Sequence, residues 1–263
     1  MTVLLIELES SGHHISSYIR SIIFNLKKKN INIIFLTTKD VKKKFYFDYI
    51  NKNTKIIYSN KIIYPKKKNY VNLLKFQLKN FQLIKKKFLQ IRKNYSIDHV
   101  YVNTFDFFEK PLAFFGSPFG NVNYSVLFLN PKFHISKNIN FIRLIKNKIY
   151  YEIFKKIIKD PYLKNIFFVD PLCYSFLKSQ RNQNNKNVLI NELGTSNQEK
   201  KNFSKAKSRS YLKINNRDFI ILVYGVIRKN KCLKELFDLV NSIKVKKRVK
   251  VLLAGRVDTQ TTC

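Results

Sequence analysis

A glycine and three cations stand where a buried strand gives way to a helix. Phe219–Tyr224 (FIILVY) is an almost unbroken apolar run, the pattern of a strand buried on both faces in a parallel sheet. Gly225 permits a tight turn, and Arg228, Lys229 and Lys231 follow at once. Apolar residues then recur at Leu233, Leu236, Phe237, Val240 and Ile243, which is helical spacing, before a second apolar run, Val249–Ala254, ends at Gly255. Ligands of open parallel sheets sit outside the carboxyl ends of the strands, where the next helix offers its free N–H groups. Cations at such a place favour a phosphate. Gly225, Arg228 and Lys231 are the candidates to hold it; the competing reading is a solvated basic loop in a chain full of lysine.

A second polar group follows the first apolar run, Val3–Leu8. In Glu9-Ser10-Ser11-Gly12-His13-His14, Gly12 lets the backbone come close to a ligand, and His13 and His14 titrate near neutrality. Equally, either histidine can open the helix that comes next. Asp106 and Asp170 are carboxylates just beyond two further strands. Each can contact a ligand or cap a helix, and Asp170, before Pro171, suits the cap.

These residues need elements to position them, and the apolar pattern supplies an α/β chain. Val3–Leu8 is read as a strand, residues 15–29 as a helix with Ile15, Tyr18, Ile19, Ile22, Ile23 and Leu26 on its apolar face, and Ile31–Leu36 as the next strand. This βαβ opening implies helices packed on a sheet. It has no G-x-G-x-x-G, so the dinucleotide fingerprint is absent. Residues 39–70 read as loops and weak strands around Ile56–Tyr58 and Ile62–Tyr64. Asn72–Arg92 is helical. Its face Lys85-Lys86-Lys87 with Phe88 fits a lipid surface, but packing with a charged rim is the better reading. His99–Asn103, Asn123–Leu129, Asn165–Val169 and Val188–Glu192 are further strands, and Ile142–Lys159 a helix. The polar stretch Gln180–Lys186 is expected to link two domains, residues 1–180 and 181–263, and Gly194–Lys207 to be a loop.

At 263 residues the chain can bury a core, and its 51 Lys and Arg against 16 Asp and Glu give a net charge of +35. Such a balance suggests nucleic acid or an anionic membrane as partner. The lysines are dispersed, however, and no RRM, KH or helix-turn-helix pattern is present, so a basic nucleic-acid-binding protein is the alternative and not the leading reading. Three distant cysteines form no C-x-x-C pair and suggest a reducing cytoplasm. The first residues lack the basic start and cleavage site of a signal peptide, and no apolar run reaches the ~20 residues of a membrane span.

The run Tyr224-Gly225-Val226-Ile227-Arg228-Lys229-Asn230-Lys231-Cys232 resembles the start of the donor-binding domain of GT-B glycosyltransferases of the family-4 type, where a strand ending in Gly leads into "IRxxKG" and a helix. Cys232 stands where that family usually has Gly. Ser208–Ile214 is similar to the family's "ARxxLGI" lead-in, and the "GHH" of Gly12, His13 and His14 to the opening of one subset. The segments IFFVDP and NVLINELG follow in the family's order. The resemblance implies a Rossmann-like parallel-sheet domain followed by the first βαβ unit of a second, incomplete one. It implies that Arg228 and Lys231 contact the diphosphate of a nucleotide-sugar, with Gly12, His13, His14 and Asp106 on the acceptor side. The implied activity is retaining sugar transfer, as in polysaccharide biosynthesis, with no metal or other cofactor. The expected partners are a nucleotide-sugar donor and a carbohydrate or lipid-linked acceptor, with peripheral contact to an anionic membrane and no nucleic acid. The family's paired-Glu "E-x7-E" segment is not found, so the chain reads as truncated in its donor domain, and a non-catalytic remnant is the further alternative.

Overall fold

The computed structural model describes residues 1–9, 18–43, 47–61, 63–65, 69–131, 133, 141–179, 189–192, 204–225, 227, 232–242 and 248–255. The chain divides into two compact units, Met1–Gln198 and Glu199–Cys263.

In the first unit, β1 (Thr2–Glu7), α1 (Arg20–Lys28) and β2 (Asn32–Thr38) form the expected βαβ opening. A 3-10 turn (Lys39–Lys43), α2 (Phe47–Asn53) and β3 (Lys55–Ser59) come next, then the long helix α3 (Tyr70–Arg92) and β4 (His99–Val102). A second 3-10 turn (Phe105–Phe107), α4 (Glu109–Phe115), β5 (Asn123–Phe128), α5 (Phe141–Ile157), β6 (Leu163–Phe168), α6 (Pro171–Ser179) and β7 (Leu189–Glu192) complete it. All seven strands pair in parallel, in the order β3-β2-β1-β4-β5-β6-β7. This is the Rossmann-like sheet that the apolar runs lead one to expect. The order reverses between β1 and β4, and the crevice at such a switch point is where open α/β sheets hold ligands.

Both faces of the sheet are covered, which is why its strands read as continuous apolar runs. Leu4, Ile6, Val100, Val102, Val126 and Phe128 turn to the side packed by Phe81, Ile84 and Phe88 of α3 and by Phe154 of α5. Val3, Leu5, Phe35 and Leu127 turn to the other, against Ile23 of α1 and Ile50 of α2. Phe88 is buried and meets the Phe119 ring edge to face at 5.4 Å, so packing accounts for that side of α3. The helix begins two residues before the expected Asn72, behind Asn69, which accepts from the backbone N–H of Asn72 at 2.8 Å.

Three features of the first unit depart from expectation. Leu189–Glu192, assigned by sequence to the second domain, pairs with Asn165–Phe168 of β6, so the first unit runs past residue 180 to Gln198. A strand of four residues carries too little pattern to say which sheet it joins. The seven-residue helices α2 and α4 are too short to show a helical repeat. Ile63 and Tyr64, expected in a strand, lie outside any.

The second unit holds α7 (Lys205–Tyr211), β8 (Phe219–Tyr224), α8 (Leu233–Ser242) and β9 (Val249–Ala254). β8 and β9 pair in parallel from Phe219 with Val249 to Tyr224 with Ala254. The strand–helix–strand reading holds, but β8 is not buried on both faces: Leu222 is 57% and Tyr224 74% exposed. Two strands and two described helices offer too little apolar surface to cover it. The turn before β8 is fixed by Arg209, whose guanidinium donates to the carbonyls of Asn215 at 2.6 Å and Asp218 at 3.0 Å. Asp218, itself buried, pairs with Lys250 at 2.7 Å across the two strands, and that hydrogen bond holds its carboxyl below the usual carboxylate range.

Candidate functional site

Glu7 ends β1 at the point where the strand order reverses, and it is wholly buried. A carboxylate taken from water needs donors around it. The backbone N–H of Glu9 supplies one at 2.7 Å, and the side chains of Asn103 and Thr104, just past β4, supply two more. Burial still outweighs these hydrogen bonds and pushes the carboxyl from 4.5 up to about 7. Thr37, level with Glu7 on β2, and Tyr101 on β4 add buried hydroxyls that have no partner among the described residues. Desolvation, with the Glu7 charge behind it, drives the Tyr101 phenol well above its ordinary value.

Directly beyond this cluster a cavity of about 260 Å³ opens at the carboxyl ends of β1, β4 and β5. Glu9 and Thr104, both held by Glu7, form part of its wall. Asp106 forms another part. Its two carboxylate oxygens accept from the backbone N–H groups of Leu129 and Asn130, each at 2.9 Å, and its carbonyl accepts from the Gln77 amide at 2.8 Å. Asp106 thereby clasps the end of β5 to the end of β4 and to α3. Tyr64, Phe76 and Phe107 make an aromatic side, with ring centroids 4.9 Å apart for Tyr64 and Phe76 and 5.2 Å for Phe76 and Phe107. Opposite in character is Lys110 of α4, buried, with its ammonium over the rings of Tyr70 at 4.7 Å and Tyr150 at 4.9 Å. Glu109 and Asn130 complete the polar lining.

Carboxylates, amides and a lysine around an aromatic wall suit a small, hydroxyl-rich ligand: flat apolar faces lie on the rings, and hydroxyls pair with the polar groups. Among the described residues no three His, Cys, Asp or Glu side chains come together to hold a metal ion.

Of the residues singled out by sequence, Asp106 lines this cavity. Gly12, His13 and His14 follow β1, and Arg228 and Lys231 follow β8; all five lie outside the described residues. Gly225 stands at the carboxyl end of β8 with φ at 96°, and a Cβ built there would meet open space. Asp170 caps α6, accepting from the Leu172 N–H at 2.9 Å, as the following Pro171 suggests. Cys232, immediately before α8, has φ at 50°, the left-handed region that explains why Gly suits this position. Reading the sequence alone misses Glu7, Glu9, Asn103 and Lys110. Glu7 did leave a signal, an acid inside an apolar strand; Lys110 left none, because its burial depends on Tyr70 and Tyr150 arriving from two other helices.

By sequence, no protein-family model and no curated protein matches the chain. By structure, it is similar to sucrose-phosphate synthase from Thermosynechococcus elongatus, with a TM-score of 0.63 at 15% identity, over 100% of this chain and 64% of that one. It is also similar to apo UGT2 of Phytolacca americana, with a TM-score of 0.56 at 9% identity over 98% of this chain and 73% of that one. A UGT transferase from Siraitia grosvenorii in complex with UDP gives 0.54 at 10% identity, over 96% and 64%. The chain thus spans less than two thirds of the length of the synthase. At these identities the likeness is one of fold, and the fold is that of the GT-B glycosyltransferases.

Proposed function

We propose that the chain transfers a sugar from a nucleotide-sugar donor to a carbohydrate or lipid-linked acceptor, of the kind used in polysaccharide biosynthesis. The cavity at the switch point of the first unit receives the acceptor. The observation that carries this reading is the combination there of Glu9, Asp106 and Glu109 with the aromatic wall Tyr64, Phe76 and Phe107. Its size suits one sugar ring. The fold of the first unit supports it, since glycosyltransferases share that fold.

The donor side rests on the sequence. Gly225, Arg228 and Lys231 follow β8, and cations at that place stabilise a nucleoside diphosphate as it leaves with its charge. The Siraitia transferase binds UDP, and Phytolacca UGT2 has been seen with UDP-2fluoro-glucose and pterostilbene, so a UDP-sugar is the donor class to try first. Retention of anomeric configuration and independence from metal follow from the family-4 resemblance and belong to the same proposal. Mechanistically, Glu7 positions the cavity by holding Glu9 and Thr104, Asp106 fixes the far wall, and the basic loop takes the departing diphosphate.

The experiment is to incubate the protein with a set of nucleotide-sugars and saccharide acceptors and to follow release of nucleoside diphosphate. Acceptor-dependent release is expected, with the acceptor KM raised about tenfold in Glu9→Gln, the loss of one charge-assisted hydrogen bond. No release with any donor, or an acceptor KM unmoved by Glu9→Gln, contradicts the reading.

A further inference from the structure

Lysine is almost never fully buried without a partner, and Lys110 is only 4% exposed. It is the second residue of α4, and its ammonium is reached by Tyr70 from the start of α3 and by Tyr150 from the middle of α5. The two rings turn their faces to it, and the Tyr150 hydroxyl stands 3.5 Å away, at the limit of a hydrogen bond. Ring faces offset only part of what an ammonium gives up on leaving water. Among the described residues no carboxylate comes within ion-pair reach of it. The backbone N–H of the same residue, by contrast, is served by the Gln77 amide oxygen at 3.3 Å. The cavity wall thus carries one buried positive charge whose complement is an anion from outside the chain.

The acids that share this wall decide how much negative charge the anion can carry. Both oxygens of Asp106 already accept from backbone N–H groups, so its charge is held at the strand ends. Glu9 and Glu109 are half-buried and keep contact with water. A phosphate, with close to two charges near neutrality, meets these three acids with about twice the repulsion of a carboxylate, which has one. A cavity of about 260 Å³ takes one sugar ring. A sugar with its own carboxylate satisfies both halves of the lining: its hydroxyls go to the glutamates and amides, its carboxylate to Lys110.

We propose that Lys110 selects an acceptor unit bearing a carboxylate, a uronic acid, by pairing with it inside the cavity. This selection rests on the cavity being the acceptor site, and binding alone tests it. The full chain is titrated calorimetrically, at physiological salt and without donor, with methyl glucuronide, methyl glucoside and glucose 6-phosphate. Glucuronide should bind about tenfold or more tighter than glucoside, the increment of one charge-assisted pair, and tighter than the phosphate. Lys110→Met, apolar where the ammonium was buried, should melt no lower than the wild type and bind the two glycosides alike. Glu109→Gln, which removes a neighbouring acid, should widen the preference severalfold. Lys85→Gln/Lys86→Gln/Lys87→Gln, on α3 and outside the cavity lining, should leave it unchanged. That variant separates pairing at Lys110 from the general attraction of a chain with net charge +35. Equal binding of the two glycosides, binding of neither, or tighter binding of glucose 6-phosphate overturns the assignment. So does a preference that persists in Lys110→Met or is lost in the three-lysine variant. Should Lys110→Met fail to fold, Glu109→Gln decides, and an unchanged or narrower preference overturns the assignment. Glucuronide preference without release of nucleoside diphosphate in the transfer assay would remove the transfer reading and leave this one; release without the preference would do the reverse.

Discussion

Glu7 makes the fold sensitive to pH in a direction opposite to most acids. As pH rises past 4.5 the unfolded chain gives up this proton, while the folded chain keeps it until about 7. The stability contributed here is therefore complete below 4.5, declines between 4.5 and about 7, and is level above, a loss of about 3 kcal/mol in all. Glu7→Gln removes the titration: urea midpoints of wild type and variant measured across that window should diverge, with the wild type losing ground as pH rises. Parallel pH profiles would show that the group titrates normally. At Cys232 the prediction concerns the backbone. A left-handed φ costs a residue with a Cβ about 1 kcal/mol, so Cys232→Gly should raise the resistance of the second unit to denaturant by that order, read from hydrogen exchange in β8 and β9. An unchanged or lower protection contradicts it. The sequence makes Cys232 conspicuous as a departure from a family glycine, whereas Glu7, an acid in the apolar run Val3–Leu8, goes unremarked there. What it hides is partnership: Asn103 and Thr104 reach Glu7 from 96 and 97 residues away, and nothing local to either end announces the contact.

Elements with long apolar patterns are the ones readable in advance. α3 announces itself as Asn72–Arg92 through its apolar repeat, two residues short of its start at Tyr70, and β8 and β9 match their apolar runs residue for residue. Which flank of α3 faces the core is tested by two neighbours. Phe88→Ala should cost about 3–5 kcal/mol, through lost contacts with Phe119 and the sheet, and Leu89→Ala, half exposed, well under about 1. Equal effects in thermal or urea unfolding would mean that α3 is turned differently. The seven-residue helices α2 and α4 were beyond pattern reading, and α4 matters more, because it brings Lys110 and Glu109 to the cavity. A seven-residue helix has no repeat to detect, and its place is decided by packing against α3 and α5. β7 is the same case: its membership of the first sheet comes from pairing with β6.

For the molecule as a whole, the sheet order predicts how the chain can be divided. A fragment of residues 1–198 keeps β7 on the edge of β6 and should melt cooperatively, whereas residues 1–180 uncover that edge and should melt lower or aggregate. Circular dichroism melts of the two decide it; equal melting would mean that β7 adds nothing to the unit. The fold class and the position of one carboxylate, Asp106, at the strand ends were legible from apolar periodicity alone. The cavity was not, since its walls come from the ends of β1, β4 and β5 and from α3, α4 and α5, and only the parallel order of the strands gathers them. The net charge of +35 told least, because it fits many partners, and it sets the control that any anion-binding measurement needs. The central claim is that the chain binds a nucleotide-sugar through its second unit. The most direct test is calorimetric titration of the full chain with nucleoside diphosphates at physiological salt, beside inorganic sulfate, for the wild type and for Arg228→Ala/Lys231→Ala. The account predicts saturable binding of at least one nucleoside diphosphate, no comparable heat from sulfate, and loss of binding in the double variant. Absence of binding, or equal binding by the variant, would contradict it.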